Sequence, residues 1–126
     1  MYSILVCDDE KDIVSALKIY LMADGYQVFE AYNGKEALEV LKEQDIHLVL
    51  MDIMMPEMDG KEASRKIRSM ADKRADAAEI PILAMTAQAS TESIHQCKSA
   101  GMNKCIFKPV NAKELIGTLQ DIVEKI

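Results

Sequence analysis

The stretch LVLMDIMMPEMDG, residues 48–60, decides the fold. An apolar, β-prone block stops on a carboxylate, Asp52, and passes at once into a methionine-rich loop over 53–58. A short apolar run bounded by polar residues is the pattern of a strand buried on both faces. Begun at His47, it predicts a strand over 47–51 that delivers an aspartate from its C-terminal end. Toward the N-terminus, SILVCDDE at 3–10 repeats the arrangement, with a strand over 3–7 stopping on Asp8, Asp9 and Glu10. Toward the C-terminus, 80–85 runs apolar to Thr86, with Pro81 near the start, where a missing N–H is tolerated. Residues 104–107 form a short strand ending on Lys108 and Pro109, and one more strand is read at 27–31.

Between the strands the period lengthens to that of a helix. Ile13, Leu17 and Leu21 recur at helical spacing over 10–24, and Gly25 supplies the stop. Asn33 with Glu36, Asp59 with Glu62 and Asn111 with Glu114 are capping pairs three residues apart. They open helices that run to about 44, to about 70 and to the last residue. The last carries a broad apolar face of Leu115, Ile116, Leu119, Ile122, Val123 and Ile126. Residues 91–100 make the remaining helix, stopped by Gly101, and polar 71–79 reads as a loop or a frayed extension. Five strands alternating with five helices require right-handed crossovers, hence an α/β, doubly wound five-stranded parallel sheet with helices on two faces. Ligands of such sheets bind outside the carboxyl ends of the strands. Asp8, Asp52, Thr86 and Lys108 are therefore predicted to converge on one rim.

The 126 residues, 49% apolar and 29% charged, suit one folded domain with a real core. A formal charge of −6 disfavours direct binding to nucleic acid or to an anionic membrane surface. No cationic, apolar leader and no membrane-length apolar run is present, so the reading places the chain in the cytoplasm. Cys7, Cys97 and Cys105 are odd in number and widely spaced, which points to neither a disulfide framework nor a zinc site. His47 and His95 lack partners at metal-ligand spacing, and Met51, Met54, Met55 and Met58 read as core and loop packing.

Carboxylates gathered on a rim repel: two unit charges about 4 Å apart cost roughly 4 kcal/mol at an effective dielectric of about 20. Lys108 supplies one compensating charge, and a hard divalent cation, Mg2+, suits the oxygen donors. Without the cation, at least one carboxylate should have its pKa raised by its neighbours. A carboxylate so placed can attack phosphorus, with cation and ammonium neutralising the phosphoryl oxygens and a hydroxyl such as Thr86 donating to them. Taken singly, each residue has a plainer explanation: loop caps for Asp8 and Asp9, a turn for Asp52, a β-former in Thr86, a surface charge in Lys108. Taken together, four strand ends bearing acid, acid, hydroxyl and cation in order favour the site.

The segments ILVCDDE (4–10), LVLMDIMMPEMDG (48–60), MTA (85–87), AGMN (100–103) and KP (108–109) resemble the receiver domain of bacterial two-component response regulators. The resemblance covers essentially all of 1–126 as one domain, and implies the flavodoxin-like strand order 2-1-3-4-5. By the same resemblance, Asp52 is the phosphoacceptor, and Asp8, Asp9, Asp52 and the backbone carbonyl of Met54 hold Mg2+. Thr86 and Lys108 bind the phosphoryl oxygens, the Lys108–Pro109 peptide is cis, and Met54, Ala87 and Gln88 flank the group and tune its lifetime. Cys105 stands where an aromatic ring usually serves the switch, so switching is expected to rest on Thr86 and its loop with Cys105 as the altered partner. Phe107 is expected in the core.

The implied partner is a sensor histidine kinase or histidine phosphotransfer domain, docking near the first helix. Output is expected through strand five with 91–98 and 111–126, which also offer a homodimer face. The first half is similar to receivers of DNA-binding regulators and the second to those of hybrid sensor kinases, so both a stand-alone regulator and part of a longer protein remain open. Such a domain is a signalling phosphoacceptor with self-catalysed chemistry, not an enzyme. Two other functions fit parts of the pattern. A magnesium-dependent phosphohydrolase would need a second carboxylate two residues after Asp52, where Met54 stands; a degenerate receiver would bind partners without phosphorylation.

Overall fold

The computed structural model describes residues 2–55, 59–69, 80–87 and 90–124. Strands and helices alternate strictly: β1 (Ser3–Cys7), α1 (Lys11–Ala23), β2 (Gln27–Ala31), α2 (Gly34–Glu43), β3 (Leu48–Asp52), α3 (Gly60–Arg68), β4 (Ile82–Thr86), α4 (Thr91–Ser99), β5 (Lys104–Phe107) and α5 (Ala112–Val123). The sheet order is β2-β1-β3-β4-β5, and every pairing is parallel. This is the doubly wound α/β fold read from the alternation of periods.

The strand pleat sends successive side chains to opposite faces, and two cores result. Leu5, Cys7, Val49, Met51, Ile82 and Ala84 pack with Ala37 and Leu41 of α2, Ala63 and Ile67 of α3, and Cys97 of α4. Ile4, Val6, Leu48, Leu50, Leu83 and Met85 pack instead with Val14, Leu17 and Leu21 of α1 and Leu115 and Leu119 of α5. Burying one such aliphatic side chain stabilises by about 1.5–3 kcal/mol. A strand polar on one face would forfeit that on half its length.

The predicted capping residues hold their helices: Asn33, Asp59 and Asn111 accept from the N–H of Glu36, Glu62 and Glu114 at 2.9, 2.8 and 3.1 Å. At α2 the glutamate completes the box one residue early, accepting from the Tyr32 N–H at 3.1 Å. Ser90, which the sequence reading passed over, caps α4 by accepting from the Ser93 N–H at 3.1 Å.

Several boundaries move. Asp52 lies inside β3, paired with Met85, while His47 precedes the strand and accepts the Ser3 N–H on Nδ1 at 3.0 Å. β4 begins at Ile82, two residues later than read. Pro81 has no N–H to give the ladder, and its carbonyl accepts from Val49 N–H at 2.9 Å. On α1 the buried position is Val14, with Ile13 only half-buried. Phe107 is not core: it is 42% exposed, at the end of an edge strand that β4 alone neighbours. The readings at 70–79, at Gln88 and at Ile126 lie outside the described residues. No helix among the described residues is long and apolar enough to cross a membrane.

Candidate functional site

All five parallel strands point their C-terminal ends at one rim, and four of those ends carry the residues predicted there. Asp8 follows β1, Asp52 ends β3, Thr86 ends β4 and Lys108 follows β5. Because β1, β3 and β4 are consecutive in the sheet, Asp8 and Asp52 issue from neighbouring strands. Asp8 is 0% exposed, Asp52 3% and Thr86 2%.

One ammonium ties the acids together. Lys108 Nζ donates to Asp8 Oδ2 at 3.0 Å and lies 3.3 Å from Asp52 Oδ2. The remaining oxygens of the pair meet backbone: Asp8 Oδ1 accepts from the Glu10 N–H at 3.0 Å, and Asp52 Oδ1 from the Met54 N–H at 3.2 Å. The Lys108 N–H donates to the Thr86 carbonyl at 2.8 Å, fixing the lysine backbone to β4. The Lys108–Pro109 peptide is cis.

Burial raises the Asp52 pKa from 3.8 to about 6; the Met54 N–H opposes it, the Asp8 charge adds to it, and Lys108 opposes it again. A raised carboxylate was expected from like-charge neighbours, but removal from water is the larger cause. For Lys108, burial pulls the ammonium down, while the hydrogen bond to Asp8 and the charges of Asp52 and Asp8 outweigh it and hold the pKa above the ordinary value.

Among the described residues, Asp8, Asp9 and Glu10 form a carboxylate group whose ligand oxygens lie within 4.8 Å of one another. Asp9 and Glu10 are exposed and Asp8 is buried. Asp52 is joined to this group through Lys108. Hard oxygen donors with two exposed members fit a magnesium ion, which retains several waters. Glu10 has no side-chain capping bond to α1 although it occupies the N-cap, so that hydrogen bond does not tie down its carboxylate.

Met54 is 76% exposed beside Asp52, and Ala87 is exposed just past β4. Cys105 is not part of the rim. It is half-buried on the α4 face of β5, packed against the core that contains Cys97.

Two residues that support the site were missed as such. A Cβ at Gly60 would overlap the Asp52 carbonyl oxygen and come 2.9 Å from Ile53 Cα, so the start of α3 is pressed onto the end of β3. The only sequence signal was a glycine after an N-cap aspartate. Cys7 donates its thiol to the Asn33 carbonyl at 3.3 Å, linking the end of β1 to the start of α2. Burial first, then the charges of Asp8 and Asp52, push that thiol far above its ordinary range and keep it protonated.

A doubly wound parallel sheet in the order β2-β1-β3-β4-β5, with a carboxylate pair, a bridging lysine and a buried threonine on one rim, is a domain of the flavodoxin-like class. The family model for the response regulator receiver domain matches residues 4–120, and the chain belongs to that family, a receiver domain of two-component signalling. It is 38% identical over 90% of its length to the CAI-1 autoinducer sensor kinase/phosphatase CqsS of Vibrio cholerae, and 35% identical over 92% to the response regulator SaeR of Staphylococcus epidermidis. It spans 16% and 48% of those two proteins, less than half of either. Among solved structures it resembles the receiver domain of a Pseudomonas aeruginosa sensor histidine kinase, described with a magnesium ion coordinated in its active-site cleft. The TM-score there is 0.84, with 31% identity over 95% of each chain.

Proposed function

We propose that residues 1–126 form one receiver domain in which Asp52 is the phosphoacceptor of a two-component relay. The observation that carries this reading is the Lys108 ammonium held between Asp8 and Asp52, 3.0 and 3.3 Å away. The donor is a phosphohistidine on a sensor histidine kinase or phosphotransfer domain. Asp52 Oδ attacks phosphorus in line, the P–N bond breaks as the P–O bond forms, and the imidazole leaves. Lys108 exchanges part of its contact with Asp52 for a phosphoryl oxygen, and the Thr86 hydroxyl donates to another. Asp8, Asp9, Asp52 and the Met54 carbonyl would hold Mg2+, which would supply neutralising positive charge beside the phosphoryl oxygens.

Met54, Ala87 and Gln88 border the acyl phosphate and set water access to it. Thr86 and Cys105 relate the modified site to β5 and its flanking helices, the output and homodimer face. The domain is the substrate of its own chemistry rather than a turnover enzyme, works in the cytoplasm, and binds no nucleic acid itself.

Incubation with magnesium and acetyl phosphate, followed by intact mass, tests the assignment. One phosphoryl adduct is expected, lost slowly and absent in Asp52→Asn. Turnover of many equivalents would identify a phosphohydrolase instead, and no adduct would identify a degenerate receiver.

A further inference from the structure

Just past Asp52 the chain turns one side chain outward between two that it buries. Ile53 and Met55 enter the core shared with α2 and α3, whereas Met54 between them is 76% exposed. Both neighbours are anchored. The Ile53 N–H donates to the Met85 carbonyl at 3.2 Å and its carbonyl accepts from the Gly60 N–H at 3.3 Å, while Met55 Sδ accepts from the Cys7 thiol at 3.5 Å. The Met54 N–H itself donates to Asp52 Oδ1 at 3.2 Å, so its backbone is tied to the carboxylate. Among the described methionines only Met22, 55% exposed on α1, is comparably open; Met51, Met55, Met85 and Met102 are buried.

A thioether in water is open to oxidation and, unlike a thiol, needs no deprotonation to react. We propose that Met54 is an oxidation site at which a hydroperoxide shortens the lifetime of the phosphorylated domain, an inference that rests on Asp52 being the phosphoacceptor. The sulfur lone pair attacks one peroxide oxygen, and the S–O bond forms as the O–O bond breaks. The transferred oxygen gives its proton to the departing one, which leaves as water or an alcohol; sulfur loses two electrons and the peroxide gains them.

The product sets a polar sulfoxide oxygen, a hydrogen-bond acceptor, beside the acid where an apolar thioether stood. Hydrolysis of the acyl phosphate needs a water oxygen aimed at phosphorus. A water that donates one hydrogen to the sulfoxide is held for that attack: its oxygen bonds to phosphorus, the bond from phosphorus to Asp52 Oδ breaks, and free carboxylate and inorganic phosphate result. Thioether sulfur accepts too weakly to hold it. One net hydrogen bond gained in that transition state speeds loss by about two- to tenfold.

The test treats the folded domain with hydrogen peroxide, removes the oxidant, restores oxidised thiols with a dithiol, and then labels with magnesium and acetyl phosphate. Peptide maps should show one added oxygen on Met54 and on Met22, and none on Met51, Met55, Met85 or Met102. Intact mass should show the phosphoryl adduct lost about two- to tenfold faster after peroxide, and methionine sulfoxide reductase should restore the original rate. Met22→Leu should keep the acceleration. Met54→Leu has its own starting rate, and that rate should be the same with and without peroxide. An unoxidised Met54, a lifetime that oxidation leaves unchanged or lengthens, or an acceleration that persists in Met54→Leu would overturn the proposal alone. A domain that gains no adduct even before peroxide treatment would overturn the phosphoacceptor assignment, and the redox effect with it.

Discussion

At Asp52, burial and charge pull in opposite directions. The carboxylate is 3% exposed and has Lys108 at 3.3 Å, yet its pKa stands at about 6 against an ordinary 3.8. The folded state therefore binds the proton more tightly than the unfolded chain. Stability contributed by the protonated form is complete below the unfolded pKa and is lost as pH climbs through the interval up to about 6. At pH 7 the magnesium-free domain carries the whole cost. Asp52→Asn should then be more stable than wild type by up to about 3 kcal/mol at pH 7 in chelator, the gain shrinking toward zero near pH 4. Urea midpoints at the two pH values decide it, and a variant that is less stable at pH 7 would mean that Lys108 outweighs burial. The sequence exposed this site because Asp8, Asp52, Thr86 and Lys108 each terminate an apolar run, and in a parallel sheet all such ends share a rim. It did not expose the cause of the shift, since like-charge repulsion can be read from spacing whereas exposure cannot.

At the level of elements, the junction of β3 and α3 places the acid. Asp59 caps α3 by accepting from the Glu62 N–H at 2.8 Å, and Gly60 lets the first helical turn lie against the Asp52 carbonyl. Backbone cannot yield as a flexible side chain does. Gly60→Ala should therefore displace either the helix start or the end of β3, destabilise by about 1–3 kcal/mol, and slow acetyl phosphate labelling of Asp52 as well. If chemical denaturation shows the loss but labelling keeps the wild-type rate, α3 has moved and β3 has not. Capping residues were legible because Asn33, Asp59 and Asn111 each stand three before a glutamate, a local signal. Arg68 was not legible: its guanidinium reaches the carbonyls of Ile80 and Gly101 and the side chain of Asn103, partners 12 to 35 residues away. Phe107 failed for a related reason. The family resemblance implied core, but edge position in the sheet order decided its 42% exposure.

Over the whole molecule, the acidic rim places a like-charge cost on the folded state, because the fold brings Asp8 and Asp52 to one ammonium and unfolding separates them. A cation that binds only the folded arrangement adds RT ln(1 + [L]/Kd), about 2.7 kcal/mol at a hundredfold excess over its Kd. For a domain of this size each kcal/mol moves the melting temperature by about 4 °C, so saturating magnesium should raise it by about 10 °C. The decisive quantity is the increment, not the absolute value. Asp8→Ala removes a buried charge as well as a ligand, and its chelated form can melt higher than wild type for that reason alone. Its magnesium-dependent rise should nevertheless be smaller than the wild-type rise in the same titration. A wild-type melting point unmoved by millimolar magnesium would leave the oxygen cluster at Asp8, Asp9 and Glu10 as a solvated surface, and would remove the cation from the proposed chemistry.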